Sequence, residues 1–157
     1  MPRLEFPLPD LAATQGLASR LAPLLRAGDM LALYGDLGAG KTAFARALLG
    51  AMGVAGEVPS PTFTLVQHYD APHMRIAHYD LYRLQSADEL DELGWGDALV
   101  DDVVIVEWPQ RAAGRLPADR LDINFSVDAD GARRCVITPC GDWAVRLQNA
   151  ESLTAAS

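Results

Sequence analysis

The chain has 157 residues, half of them hydrophobic, and a formal net charge of −8. That length fits one domain with a sizeable core, and no apolar run is long enough to cross a bilayer. The acidic balance argues against a protein that grips DNA or RNA unaided, because such affinity comes from Lys and Arg neutralising phosphates. If nucleic acid is involved, a partner carries the basic surface. The two cysteines, Cys135 and Cys140, make no disulfide framework, and no Cys/His cluster has zinc spacing. Met1 to Phe6 has no apolar h-region, so a cytoplasmic protein is expected.

Pro9-Asp10 opens a helical pattern with Asp10 as its N-cap. Leu17, Leu21, Leu24 and Leu25 fall on one apolar stripe, and Pro23 predicts a break or a second short helix. Gly28-Asp29 turns into Met30–Tyr34, a short apolar run that reads as a buried strand. Thr42 to Met52 reads as a helix stopped by Gly53. Between that strand and that helix lies Gly35-Asp36-Leu37-Gly38-Ala39-Gly40-Lys41-Thr42, which matches G-x-x-x-x-G-K-[ST]. In that order of elements the glycines let backbone N–H groups converge on phosphate oxygens. The helix N-terminus, with Thr42 and Ala43, adds partial positive charge. Lys41 should reach the β- and γ-phosphates and the Thr42 hydroxyl should bind Mg²⁺.

Gly56 and Pro59 mark a loop, and Ser60 to Thr64 leads into the strand candidate Leu65–Tyr69. Asp70-Ala71-Pro72 predicts a turn, and Met74 to Tyr82 alternates as the returning strand of a hairpin. Ser86 with Glu89 reads as a capping box for a short acidic helix ending near Gly94. Val103–Val106 is a buried strand closed by Glu107-Trp108-Pro109. Leu121–Val127 and Arg133–Thr138 form a last strand pair around the turn Asp130-Gly131. The core is expected over about residues 9–140, and the tail from Asn149 is expected to fray. Seven acids between Asp88 and Asp102 occur with no Lys or Arg among them. A solvated helix face explains them; a docking patch for a basic partner is the sharper alternative.

A phosphate loop needs a carboxylate at the end of a neighbouring strand to orient the metal, directly or through water. Glu107 supplies it, with a longer arm than the more usual Asp; a surface carboxylate at a strand end is the plainer reading. In Ile76-Ala77-His78-Tyr79-Asp80, residues 76, 78 and 80 share a face. Asp80 can position the attacking water, act as general base, or simply pair with Arg83 or cap a turn. His78 reads as a packing histidine. Thr62 and Thr64 suit a loop that senses the γ-phosphate, and Trp108 packs near the nucleotide or in the core. Asp10 and Thr14 are candidates for the rim of the base, and Arg133 and Arg134 for phosphate contact. No obvious arginine finger is present, so slow turnover is expected from the chain alone.

The segments GDLGAGKT, SPTFTLV, HYDLYRL and VEWPQ, in this order and spacing, resemble the TsaE family, small bacterial ATPases of tRNA threonylcarbamoyladenosine synthesis. The resemblance runs from about Pro9 to about Thr138; Phe63 stands where related sequences often carry Tyr. It implies a single α/β P-loop NTPase domain with a mixed, partly antiparallel central sheet flanked by helices. It implies Thr42 and Glu107 as Mg²⁺ ligands, Lys41 as the phosphate lysine, and Asp80 and Thr62 as further functional positions. It also implies ATP as substrate with ADP as product, and TsaD and TsaB as protein partners that would hold the tRNA. Two readings compete: a small-molecule P-loop kinase and a nucleotide-sensing module without useful turnover. Between Gly53 and Val103 the only basic residues besides histidine are Arg75 and Arg83, which leaves no arginine-rich lid for a kinase.

Overall fold

The computed structural model describes residues 3–36, 39–55, 65–112 and 114–148. In chain order it contains β1 (Leu4–Pro7), α1 (Leu11–Leu21), β2 (Met30–Tyr34), α2 (Lys41–Ala51), β3 (Val66–Ala71) and β4 (Met74–Asp80). Then come α3 (Glu89–Glu92), α4 (Trp95–Asp101), β5 (Val103–Glu107), β6 (Arg120–Val127), β7 (Arg133–Cys140) and α5 (Trp143–Gln148). The strands make one mixed sheet in the order β1-β7-β6-β2-β5-β4-β3. β2 runs parallel to β5 and β6, and β4 parallel to β5, while β1/β7, β6/β7 and β3/β4 are antiparallel. The apolar runs of β2 and β5 are therefore central strands, buried on both faces as parallel strands require.

Alternation sorts the side chains of the sheet between two cores. Leu31, Leu33, Ile76, Val103, Ile105 and Ile123 face α1, α2 and α5, with Leu17, Leu21, Phe44, Leu48 and Trp143 closing that layer. Met30, Ala32, Ala77, Tyr79, Val104 and Val106 face the opposite way, against Leu90 of α3 and Trp95 and Ala98 of α4. Phe44 of α2 meets Phe125 of β6 with ring centroids 5.5 Å apart, a pair that contributes about 0.5–1.5 kcal/mol beyond its burial. It fixes the helix after the phosphate loop to the sheet.

Several sequence expectations change at their boundaries. Asp10 caps α1, accepting from the Ala13 N–H at 2.8 Å, and Pro23 lies in a separate 3₁₀ turn over Ala22–Leu24. The hairpin forms, but β3 continues to Ala71 and β4 stops at Asp80, two residues short of Tyr82, because the Asp80 carboxylate turns the chain by accepting from Tyr82 N–H. The capping box does not form. Ser86 Oγ accepts from Asp88 N–H at 3.3 Å, and the residue before the helix is Asp88. β1, α4 and α5 were not legible, and the core passes residue 140, since Trp143 and Leu147 are buried. The acidic stretch divides. Asp102 is buried and pairs with Arg75 at 3.0 Å, Asp91 pairs with Arg115, and Asp88, Glu92, Asp97 and Asp101 are exposed. The tail from Asn149 lies outside the described residues.

Candidate functional site

The parallel strands β2, β4 and β5 all end at one edge of the sheet, the place where such sheets bind ligands. Leu33 pairs with Glu107, and Glu107 with Asp80, so the two acids stand side by side just below Gly35. Gly35 has φ of 140°, and a Cβ there would lie 2.7 Å from the Phe125 carbonyl oxygen. The loop thus leaves β2 through a gap that admits no side chain. Gly40, with φ of 115°, is the residue before α2, and Ala39 N–H closes back onto the Asp36 carbonyl at 3.1 Å. Asp36 is exposed at the start of the loop. Leu37 and Gly38 lie outside the described residues, as does the segment Ser60 to Thr64 with Thr62.

Lys41 and Thr42 open α2. Lys41 is buried, donates to the Gly35 carbonyl at 2.6 Å, and holds its Nζ 3.5 Å from the centre of the Trp108 ring. Burial pulls its pKa below the ordinary lysine value, and the negative charges of Glu107, Asp80 and Asp36 pull it back up. Trp108 itself has φ of 58°, a left-handed conformation uncommon for a bulky side chain. Its ring also meets that of Tyr82, tilted by 54° at a centroid distance of 4.9 Å. The tryptophan after the strand-end glutamate is therefore a contact of the phosphate lysine.

The Thr42 hydroxyl donates to Glu107 Oε1 at 3.0 Å. The other oxygen, Oε2, lies 2.7 Å from His78 Nε2. Glu107 is 2% exposed and His78 1%. Asp80 is also buried, and its Oδ1 accepts from Tyr82 N–H at 3.0 Å. No group of three or more His, Cys, Asp or Glu side chains converges as a metal cage among the described residues. Mg²⁺ does not require one, since it takes one or two protein oxygens and completes its shell with phosphate and water. A hydroxyl and a carboxylate 3.0 Å apart at the mouth of a phosphate loop are a hard-oxygen pair of that kind, so the residues present fit magnesium.

Beside Gly40 and Ala43 lies a cleft of about 510 Å³. Asp10, Thr14 and Arg133 all line it, together with the Asp130-Gly131 turn. Residues far apart in sequence thus gather along one side of the phosphate loop, with Trp108 and Glu107 at Lys41. Arg134 pairs with Asp128 at 3.5 Å instead. The sequence reading missed two contributors, His78 and Tyr82. His78 had a signal, since it shares the face of Asp80, but its contact with Glu107 depends on the register of β4 against β5.

A profile described as "Threonylcarbamoyl adenosine biosynthesis protein TsaE" matches residues 8–135. A protein of Streptomyces coelicolor named "tRNA threonylcarbamoyladenosine biosynthesis protein TsaE" is 40% identical over 138 residues, covering 82% of this chain and 92% of its own length. A Rickettsia bellii protein of the same name is 38% identical over 126 residues, 80% of this chain and 88% of its own. The Bacillus subtilis protein of that name is 33% identical over 145 residues, 90% and 89%. The crystal structure of Bacillus subtilis YdiB superposes with a TM-score of 0.79 at 27% identity, covering 96% of this chain and 95% of the other. With a phosphate loop between β2 and α2 and matches over most of its length, this P-loop NTPase-type chain belongs to the TsaE family.

Proposed function

We propose that this chain is a Mg²⁺-dependent ATPase, a single cytoplasmic domain that supports threonylcarbamoyl modification of adenosine next to the anticodon in tRNAs reading codons that start with A. The observation that carries the chemistry is the 3.0 Å contact between Thr42 Oγ1 and Glu107 Oε1 at the end of β5. In the ATP cycle Gly35 to Ala43 wraps the phosphates with backbone N–H groups. Lys41 moves its ammonium from the Gly35 carbonyl to the β- and γ-phosphate oxygens, with Trp108 behind it. Thr42 and Glu107 hold the metal, which when bound neutralises charge building on the phosphate oxygens. Asp80, beside Glu107 on the neighbouring strand, orients the attacking water. Asp10, Thr14 and Arg133 border the cleft that takes the base and sugar. Thr62 contributes from the segment ahead of β3.

The names of the relatives support the tRNA reading. The net charge of −8 agrees with partners, TsaD and TsaB, holding the tRNA. The test is ATP hydrolysis by the chain alone and with TsaD, TsaB and tRNA. Turnover should be slow alone and rise when they are added. No change on adding them refutes the coupling, and phosphate transfer to a small acceptor points to a kinase instead.

A further inference from the structure

We propose that His78 is a positioning residue for Glu107: its Nε2–H holds one carboxylate oxygen so that the other is presented beside Thr42 as a metal ligand. The proposal rests on the Mg²⁺-ATPase reading above. His78 pairs with Ile105, one alternation step before Glu107 on the adjacent parallel strand. Its ring therefore reaches diagonally along the shared face to Glu107 Oε2, 2.7 Å away. A carboxylate only accepts, so the tautomer that makes this contact a hydrogen bond to ionised Glu107 is the one with its N–H at Nε2.

Two observations separate this from ordinary core packing. The face that carries His78 is otherwise aliphatic at this depth, with Ile76, Val103 and Ile105 all buried. A leucine would fill such a place without burying polar atoms. His78 Nδ1, moreover, is buried and finds no hydrogen-bond partner among the described residues. Among the described residues the imidazole makes one hydrogen bond, and that bond is to Glu107. A glutamate has three rotatable side-chain bonds. With Oε1 facing the Thr42 hydroxyl at 3.0 Å and Oε2 tied to His78, it is left one orientation. Groups that hold a metal ligand in this way set its affinity for the metal, and removing one typically weakens binding about 10- to 100-fold.

The test measures Mn²⁺ binding to the protein–ADP complex by electron paramagnetic resonance, with metal-free ADP affinity measured in parallel. H78L removes the donor and fills the volume. H78Q sets an amide N–H near the position of Nε2. H78N sets its amide near the position of Nδ1, too short to reach Glu107. Mn²⁺ affinity should fall about 10- to 100-fold in H78L and H78N and recover in H78Q, while metal-free ADP affinity stays as in the parent. Unaltered Mn²⁺ affinity in H78L, or H78Q no better than H78N, overturns the proposal. If H78L fails to fold, the Gln/Asn pair decides. E107Q separates the two levels. If E107Q also binds Mn²⁺ normally, the metal-site reading falls with the proposal; if only the His78 variants are neutral, the proposal falls alone.

Discussion

Glu107→Ala is the sharpest perturbation of this site, because its effects on the fold and on the metal have different sizes. The substitution removes the acceptor of Thr42 Oγ1, 3.0 Å away, and of His78 Nε2, 2.7 Å away. The buried His78 donor, 1% exposed, is left unsatisfied at a cost of about 1–3 kcal/mol, while the half-buried Thr42 hydroxyl loses an acceptor but can turn to water. Against that, a buried carboxylate no longer has to be desolvated, a penalty of several kcal/mol. The two offset, so the free variant should unfold within about 2 kcal/mol of the parent. The metal contribution has no such offset. Mg²⁺–nucleotide at about 100 times its Kd stabilises a fold by about 2.7 kcal/mol. For a chain of this size that is about 5–11 °C in Tm, at about 2–4 °C per kcal/mol. A hundredfold loss of affinity leaves about 0.4 kcal/mol, or about 1–2 °C. The assay is thermal unfolding with ADP or ATP, in excess Mg²⁺ and in EDTA. Metal-free nucleotide binding should persist in the variant. A Glu107→Ala protein that keeps the whole Mg²⁺-dependent shift refutes the role assigned to this carboxylate.

Gly35→Ala sets a Cβ 2.7 Å from the Phe125 carbonyl at φ of 140°; the backbone strain alone costs about 1–3 kcal/mol, so the urea midpoint should drop, and an unchanged midpoint contradicts the close approach. Trp95 and Trp143 are 2% and 1% exposed in the two cores, whereas the Trp108 ring lies 3.5 Å from Lys41 Nζ. Any change in tryptophan emission on adding ADP should therefore vanish in Trp108→Phe and survive in Trp143→Phe. Burial pushes the Cys135 thiol from 9.0 up to about 12. Its folded value lies above its unfolded one, so its contribution to stability is fully present below pH 9 and is lost as pH climbs toward 12. The urea midpoint should decline above pH 9, less steeply between pH 9 and 10 in Cys135→Ala; equal slopes would rule this out.

The parts of the fold that were legible are those whose signal is local. Met30–Tyr34 and Val103–Val106 are unbroken apolar runs, and an unbroken run marks a strand covered on both faces. The phosphate loop was legible because its glycines answer to backbone geometry, as Gly35 shows against Phe125. The losses have physical reasons too. β1 is four residues long and gains its order from β7, far along the chain. α4 begins at Trp95 directly after Gly94, which the sequence marks as a stop and which here joins two helices with φ of 73°. The capping box at Ser86 failed because its hydroxyl closed a local turn onto Asp88 instead. At the site, Glu107 and Asp80 were visible as strand-end acids. The His78 contact needed the pairing register, which residue spacing along a single strand cannot supply.

The charge arrangement of the site determines the order in which ligands are favoured. One buried ammonium, that of Lys41, shares the end of the sheet with two buried acids, Glu107 and Asp80. A polyphosphate arriving without metal would set its negative charge against both, with Lys41 and the start of α2 in its favour. Burial disfavours the charged form of Lys41, and the neighbouring acids Glu107, Asp80 and Asp36 favour it. On the proposed Mg²⁺ reading, a divalent cation held by Thr42 and Glu107 would reverse that balance: the acid that repels bare nucleotide would become the group that binds metal-loaded nucleotide. On that reading the same carboxylate discourages unloaded ATP and anchors loaded ATP. It does so only if it stays aimed at Thr42 when the cation is absent, which is what the bond to His78 secures.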